Sequence, residues 1–220
     1  MSRLRARAGR VYAAFAFGRA AAIYELLTDQ EAWRRDCRAM AELVGGPRVL
    51  DLGVGPGTSA LEMARADPAR RHVGLDTSAP MLRRAARHAR AARVALPLVR
   101  GDALALPVRD GAFDAATGHS FLYLLDDPAA ALREVRRAVR PGGHIAFLEP
   151  RDGRARLREA LRASPRNGLA MALWRSMSRL HRRYDEASLP ALLARAGFAE
   201  ARAWPVLSGF GVMAIAVRPE

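Results

Sequence analysis

Between residues 49 and 58 the chain reads Val49-Leu50-Asp51-Leu52-Gly53-Val54-Gly55-Pro56-Gly57-Thr58. A short apolar run ends in alternating glycines, and a threonine follows where a helix can start. Continuous apolar runs of roughly four to eight residues suit strands buried on both faces, which occur in parallel sheets covered by crossover helices. Glycines at such a strand's end let the backbone take positive φ and approach a bound group closely.

The rest of the chain repeats the theme. Apolar runs at 48–53, 72–76, 95–99, 114–120 and 144–149 predict strands, and segments of helical period start near Thr58, Ser78 and Pro128. Two helices are expected ahead of them, over 7–27 and 31–44, with Thr28 and Asp29 as caps between them and Gly45-Gly46-Pro47 as the stop. After Pro150 an Arg-rich helical stretch covers 154–183, a helix over 185–196 closes at Gly197, and runs at 199–207 and 211–217 read as a hairpin. The expectation is one α/β domain over residues 1–220. Its sheet is Rossmann-like, mostly parallel and seven-stranded, with a C-terminal antiparallel hairpin, extra N-terminal helices and a helical cap insertion. Within it, 1–46 form an N-terminal helical cap, 47–150 the ligand-binding core, 151–184 the insertion, and 185–220 the final helix and hairpin.

Composition narrows the classes. With 220 residues the chain suits one domain with a sizeable core. A single cysteine, Cys37, excludes an internal disulfide and a multi-cysteine zinc site, and no metal site is expected. The basic start at Arg3, Arg5, Arg7 and Arg10 followed by an apolar run imitates a secretory signal, but Arg19 interrupts that run. The expected compartment is the cytoplasm. The formal charge of +14 invites an anionic partner, although every basic residue is Arg and alanine is abundant, so compositional bias explains part of the excess.

Chemistry gathers at the strand ends, where parallel crossovers place ligands. About 20 residues past the glycines, Asp76 ends the second strand and can accept hydrogen bonds from both hydroxyls of a ribose. That suits a dinucleotide as well as an adenosyl group, but Thr58 stands where a dinucleotide fingerprint wants its third Gly or Ala. The third strand leads to Gly101-Asp102-Ala103, a carboxylate within reach of an adenine amino group. The ordered segments VLDLGVGPGT, VGLDTSAPML, GDALALPVRDGAFDAAT and LREVRRAVRPGGHIAFLEP, spanning 49–150, resemble the class I S-adenosylmethionine-dependent methyltransferases, especially the branch of ubiquinone/menaquinone C-methyltransferases. The resemblance implies S-adenosylmethionine as cofactor, with Asp51, Gly53, Gly55 and Gly57 near its methionine part, Asp76 and Thr77 on the ribose, Met81 near the purine, and Asp102 and Ala103 on the adenine. His119 joins this cofactor set at the fourth strand's end.

An activated sulfonium methyl needs mainly alignment with its acceptor, and a base where the acceptor is weakly acidic. His119 is the candidate base, with Ser120 beside it and Tyr123 shortly after, a place that in the family faces the transferred methyl. Glu149 could bind or deprotonate an acceptor. His119 serves equally well as a hydrogen-bonded turn residue, and Glu149 as an anchor for backbone before Pro150.

Apolar side chains at Val11, Phe15, Ile23, Leu169, Trp174 and Leu180 outside the core point to a small-molecule, hydrophobic or lipid-like acceptor. Basic faces at Arg3, Arg7 and Arg10 and at Arg175, Arg179, Arg182 and Arg183 point to peripheral contact with an anionic membrane on its inner face. Alternatives are a phospholipid N-methyltransferase, a polar-metabolite or natural-product methyltransferase, and a non-catalytic cofactor-binding partner. Nucleic acid is not the expected partner, because Gly118-His119-Ser120-Phe121 lacks the Asn/Asp-Pro-Pro-aromatic pattern of base-modifying enzymes. Oligomeric state is left open.

Overall fold

The computed structural model describes residues 30–220. The expected helix over 7–27, the caps Thr28 and Asp29 and the basic face at Arg3, Arg7 and Arg10 lie outside them. Helix α1 (Glu31–Leu43) leads into β1 (Arg48–Leu52), α2 (Thr58–Ala66), β2 (Arg71–Asp76), α3 (Ala79–Ala92), β3 (Leu98–Arg100) and β4 (Phe113–His119). A 3-10 turn (Leu122–Leu124) then precedes α4 (Pro128–Ala138) and β5 (Val139–Pro150). The insertion forms α5 (Leu157–Ala163) and α6 (Pro165–Ser178), and α7 (Ser188–Arg195), β6 (Ala199–Val206) and β7 (Gly211–Val217) complete the chain.

One seven-stranded sheet runs β3-β2-β1-β4-β5-β7-β6, parallel except for β7, which is antiparallel to both of its neighbours. The chain steps outward from β1 to β3 and returns to place β4 on β1's other side. The strand order therefore reverses between β1 and β4, and the carboxyl ends of those two strands frame a crevice.

Alternation along β1 sends Leu50 and Leu52 into one core, with Leu132, Phe147 and Leu193, and Val49 into the other, with Met40, Met63 and Trp174. Both faces are covered, which is why the strand reads as an unbroken apolar run.

Several boundaries moved, most of all that of β5, which begins at Val139 and not at residue 144. Strand β3 starts at Leu98, not at residue 95, because Pro97 has no N–H for the ladder; its carbonyl instead accepts from Gly74 at 2.9 Å. The last helix begins at Ser188, and Asp185 ahead of it caps the start, accepting from the N–H groups of Ala187 and Ser188 at 3.1 and 2.7 Å. Among the described residues no helix is long and apolar enough to cross a membrane.

Candidate active site

The β1–α2 turn bends through three glycines at positive φ: Gly53 at 60°, Gly55 at 53° and Gly57 at 90°. A Cβ on Gly53 would lie 2.5 Å from Phe121 Cδ2, so only glycine fits there. A Cβ on Gly55 would meet nothing closer than the Gly53 carbonyl at 3.8 Å, so this glycine keeps the crevice floor open to close approach.

Beneath the turn Asp51 is fully buried. Thr117 Oγ1 donates to its Oδ1 at 2.9 Å and Ser59 Oγ to its Oδ2 at 3.0 Å, which ties β1 to β4 and to the start of α2. Burial raises Asp51 to about 7 against these two donors.

Asp76 braces the turn from the side. It accepts the Gly55 N–H at 2.9 Å and the Ser78 N–H at 2.8 Å, which leaves each oxygen a further lone pair, and burial raises it against these backbone donors. Asp102 accepts from Leu104 N–H at 2.9 Å at the end of β3. The crevice is lined by Gly53, Gly55, Asp76, Thr77, Met81, Asp102, Ala103 and His119, together with Trp33, Ser120, Phe121 and Leu124. Eight of the sequence-predicted positions thus meet on one surface, while Asp51 and Gly57 stand behind it.

The three proposed catalytic side chains separate. His119 lines the crevice, its Nε2 has no hydrogen-bond partner among the described residues, and burial lowers it to about 3, so the ring is neutral. Glu149 does not line the crevice. It is buried on β5 and accepts from the N–H groups of Phe121, Leu122 and Tyr123 at 3.0, 2.7 and 3.2 Å, fastening the turn after β4. Burial pushes it up to about 8 against those donors. Tyr123 is buried too, and its ring meets His181 edge to face at 5.6 Å instead of facing the crevice. Glu149 was expected at the crevice because it ends a strand, and Tyr123 because the family resemblance implied it; instead Glu149 points from β5 under the turn after β4, and that turn carries Tyr123 inward.

An aromatic wall was not foreseen. Trp33 of α1 lies 4.1 Å from the His119 ring, and Trp174 of α6 meets Trp33 at 5.1 Å edge to face. A tryptophan inside an amphipathic helix gives no local sign of the strand end 86 residues later that it will cover. Beside it Ser120 takes φ 53° with its hydroxyl buried and unpartnered, a non-glycine residue in the left-handed region at the crevice rim. Among the described residues no group of His, Cys, Asp and Glu is placed to hold a metal.

The sequence pattern of the methyltransferase domain family matches residues 50–147. That match falls on the part of the sheet that carries the crevice, from β1 into β5. Within curated relatives, the demethylmenaquinone methyltransferase of Corynebacterium kroppenstedtii is 40% identical over 117 residues, 53% of this chain and 48% of that protein. That of Thermus thermophilus is 39% identical over 117 residues, 53% of each. The chain spans about half the length of these relatives. Solved structures of S-adenosylmethionine-dependent methyltransferases share the fold over most of the chain. One from Aquifex aeolicus has TM-score 0.64 at 16% identity, covering 84% of this chain and 89% of that one, and one from Thermotoga maritima has 0.63 at 20%, covering 90% and 94%.

S-adenosylmethionine is the cofactor of this domain class, and the residues fit it. Asp76 and Asp102 bring two carboxylates to the crevice, Gly55 leaves its floor open, and Met81 and Phe121 give it apolar walls.

Proposed function

We propose that this methyltransferase acts on a hydrophobic, ring-bearing acceptor of the quinol type, held between the aromatic wall and the cofactor. The observation that carries the reading is the Trp33–His119–Trp174 cluster, with an unpartnered imidazole nitrogen beside an unpartnered Ser120 hydroxyl. Trp33 offers a planar ring the stacking surface that an aliphatic wall lacks. A neutral His119 presents one N–H and one lone pair, which suits orienting an acceptor hydroxyl. The demethylmenaquinone methyltransferase relatives support the same acceptor class.

When bound, S-adenosylmethionine supplies a methyl group on a cationic sulfur, already activated for displacement. The chain's residues then have two tasks. They align the acceptor with the crevice, which contributes a large share of rate in a bimolecular reaction, and they exclude water. Asp76, Asp102 and the glycine turn hold the nucleoside end, while Trp33, His119 and Ser120 hold the acceptor end. The phospholipid N-methyltransferase alternative gains no support from those curated relatives, which are demethylmenaquinone methyltransferases.

The test is radiolabelled methyl transfer from S-adenosylmethionine to three acceptors: a short-chain demethylmenaquinol, a water-soluble catechol and phosphatidylethanolamine. The quinol should be methylated with the highest kcat/KM. Preference for either other acceptor by tenfold or so would reassign the substrate class.

A further inference from the structure

The insertion between β5 and α7 has an outer face that the methyltransferase core does not use. Of six exposed large hydrophobic side chains among the described residues, four lie there: Leu157, Leu161, Leu169 and Leu180, the last two about 60% exposed. Leu157 and Leu161 stand one turn apart on α5, and Leu161 packs so closely on Gly168 that no Cβ fits at that glycine. This brings the α5 leucines alongside Leu169. At about 100° per residue, Leu169 and Leu173 share the face of α6 turned away from buried Met171 and Trp174, and Leu180 follows in the turn after the helix.

The same segment concentrates charge. Residues 151–183 hold ten arginines against two acidic residues, Asp152 and Glu159, which is more than half of the chain's formal excess of +14. Arg151, Arg156 and Arg183 pair with Glu186, Glu159 and Asp152. Arg158, Arg162 and Arg179 are exposed with no ion pair among the described residues, and they border the leucines.

We infer that the outer face of α5 and α6 is a docking surface for an anionic lipid bilayer, leucines entering the acyl boundary and arginines meeting the headgroups. Aliphatic side chains ringed by arginine are the composition of an interfacial helix. A nucleic-acid surface would use aromatic side chains to stack on bases, and the exposed hydrophobics here are all leucines. A two-fold contact with a second copy would set these arginines against their own counterparts. The docking stands on this surface alone. Its use rests on the proposed acceptor: the inner side of α6 carries Trp174 against Trp33, so the docked helix pair also backs the aromatic wall that would hold a bilayer-derived quinol.

Flotation of the full chain with vesicles tests it. Vesicles of phosphatidylcholine with phosphatidylglycerol should bind it at least about tenfold more tightly than phosphatidylcholine alone, and high salt should erase the difference. Combined Leu157→Ser, Leu169→Ser and Leu180→Ser, and separately combined Arg158→Gln, Arg162→Gln and Arg179→Gln, should each weaken binding about tenfold or more with circular dichroism and thermal midpoint unchanged. Leu169→Trp adds a reporter at one exposed site and should be quenched by brominated acyl chains. Undiminished vesicle binding by both combined variants, an unquenched Trp, or a dimer that the serine variant dissolves without change in vesicle binding would each overturn the docking. So would RNA binding tighter than vesicle binding and insensitive to the leucines. Vesicle binding as described without any quinol methylation would leave the docking standing and remove the acceptor reading.

Discussion

The Leu122 N–H donates to Glu149 Oε1 at 2.7 Å, from the turn after β4 to a carboxylate buried on the neighbouring strand. With Phe121 and Tyr123 donating as well, Glu149 is the anchor of that turn. Glu149→Gln keeps an oxygen for Phe121 and Leu122 but turns an NH2 toward the Tyr123 N–H, which costs about 1–3 kcal/mol for the unmet donor. Because burial raises Glu149 to about 8, the folded chain holds a proton that the unfolded chain releases from about pH 4.5 upward. That contribution to stability is full at acid pH and is lost as pH rises through about 8. Urea unfolding at pH 5 and pH 8.5 should therefore show the wild-type advantage over Glu149→Gln shrinking. A gap that widens with pH would contradict this.

Asp76 has two partners already, the Gly55 and Ser78 N–H groups, so Asp76→Ala loosens the glycine turn and also removes a charged acceptor for a ribose. Charge-assisted hydrogen bonds of this kind contribute about 1.5–3 kcal/mol. Calorimetric affinity for S-adenosylmethionine should fall by about tenfold to a hundredfold. Unchanged affinity would remove Asp76 from the cofactor site.

What could be read from the sequence was what short stretches of chain decide. The apolar run ending at Leu52, the glycines and the carboxylates at strand ends are local signals, and Gly53, Asp76 and Asp102 line one crevice. The roles of Glu149 and Trp33 depend on partners 26–28 and 86 residues away, for which no local period exists. In the insertion, Leu169 and Trp174 are equally apolar by type. Both were expected to line a cap, yet Leu169 is turned outward and only Trp174 reaches the wall, because α6 packs through Ala170, Met171 and Trp174.

His72 on β2 is fully buried, neither ring nitrogen has a partner, and burial, aided by Arg70, lowers it to about 4. A valine suits a central strand and removes the unmet polar atoms, so His72→Val should stabilise the fold by about 1–3 kcal/mol. The sign with pH follows from the lowered value. As pH falls from about 6.5 to 4 the unfolded chain gains a proton that the folded one refuses, and the wild type loses stability that the variant keeps. Denaturant midpoints at pH 7.5 and pH 4.5 should show the variant's advantage growing at the lower pH. A constant advantage would mean that His72 titrates normally.

The tilted Trp33 and His119 rings, 4.1 Å apart, define the last prediction, because on the proposed reading they meet the acceptor and not the cofactor. Trp33→Phe keeps an aromatic ring in the core and so protects the fold better than alanine, whose cavity at a buried tryptophan costs about 3–5 kcal/mol. With less ring surface, KM for an apolar acceptor should rise several-fold while S-adenosylmethionine affinity stays within about threefold. His119→Asn keeps a hydrogen-bonding side chain without the imidazole, and kcat should fall more than KM changes if the ring orients the acceptor hydroxyl. Burial holds His119 at about 3, so it is neutral throughout the working range, and kcat/KM should show no break near pH 6.5 that the asparagine variant removes. A wild-type break near 6.5 that disappears in His119→Asn would mean that the ring titrates in the free enzyme and acts as a base rather than as a neutral hydrogen-bonding group.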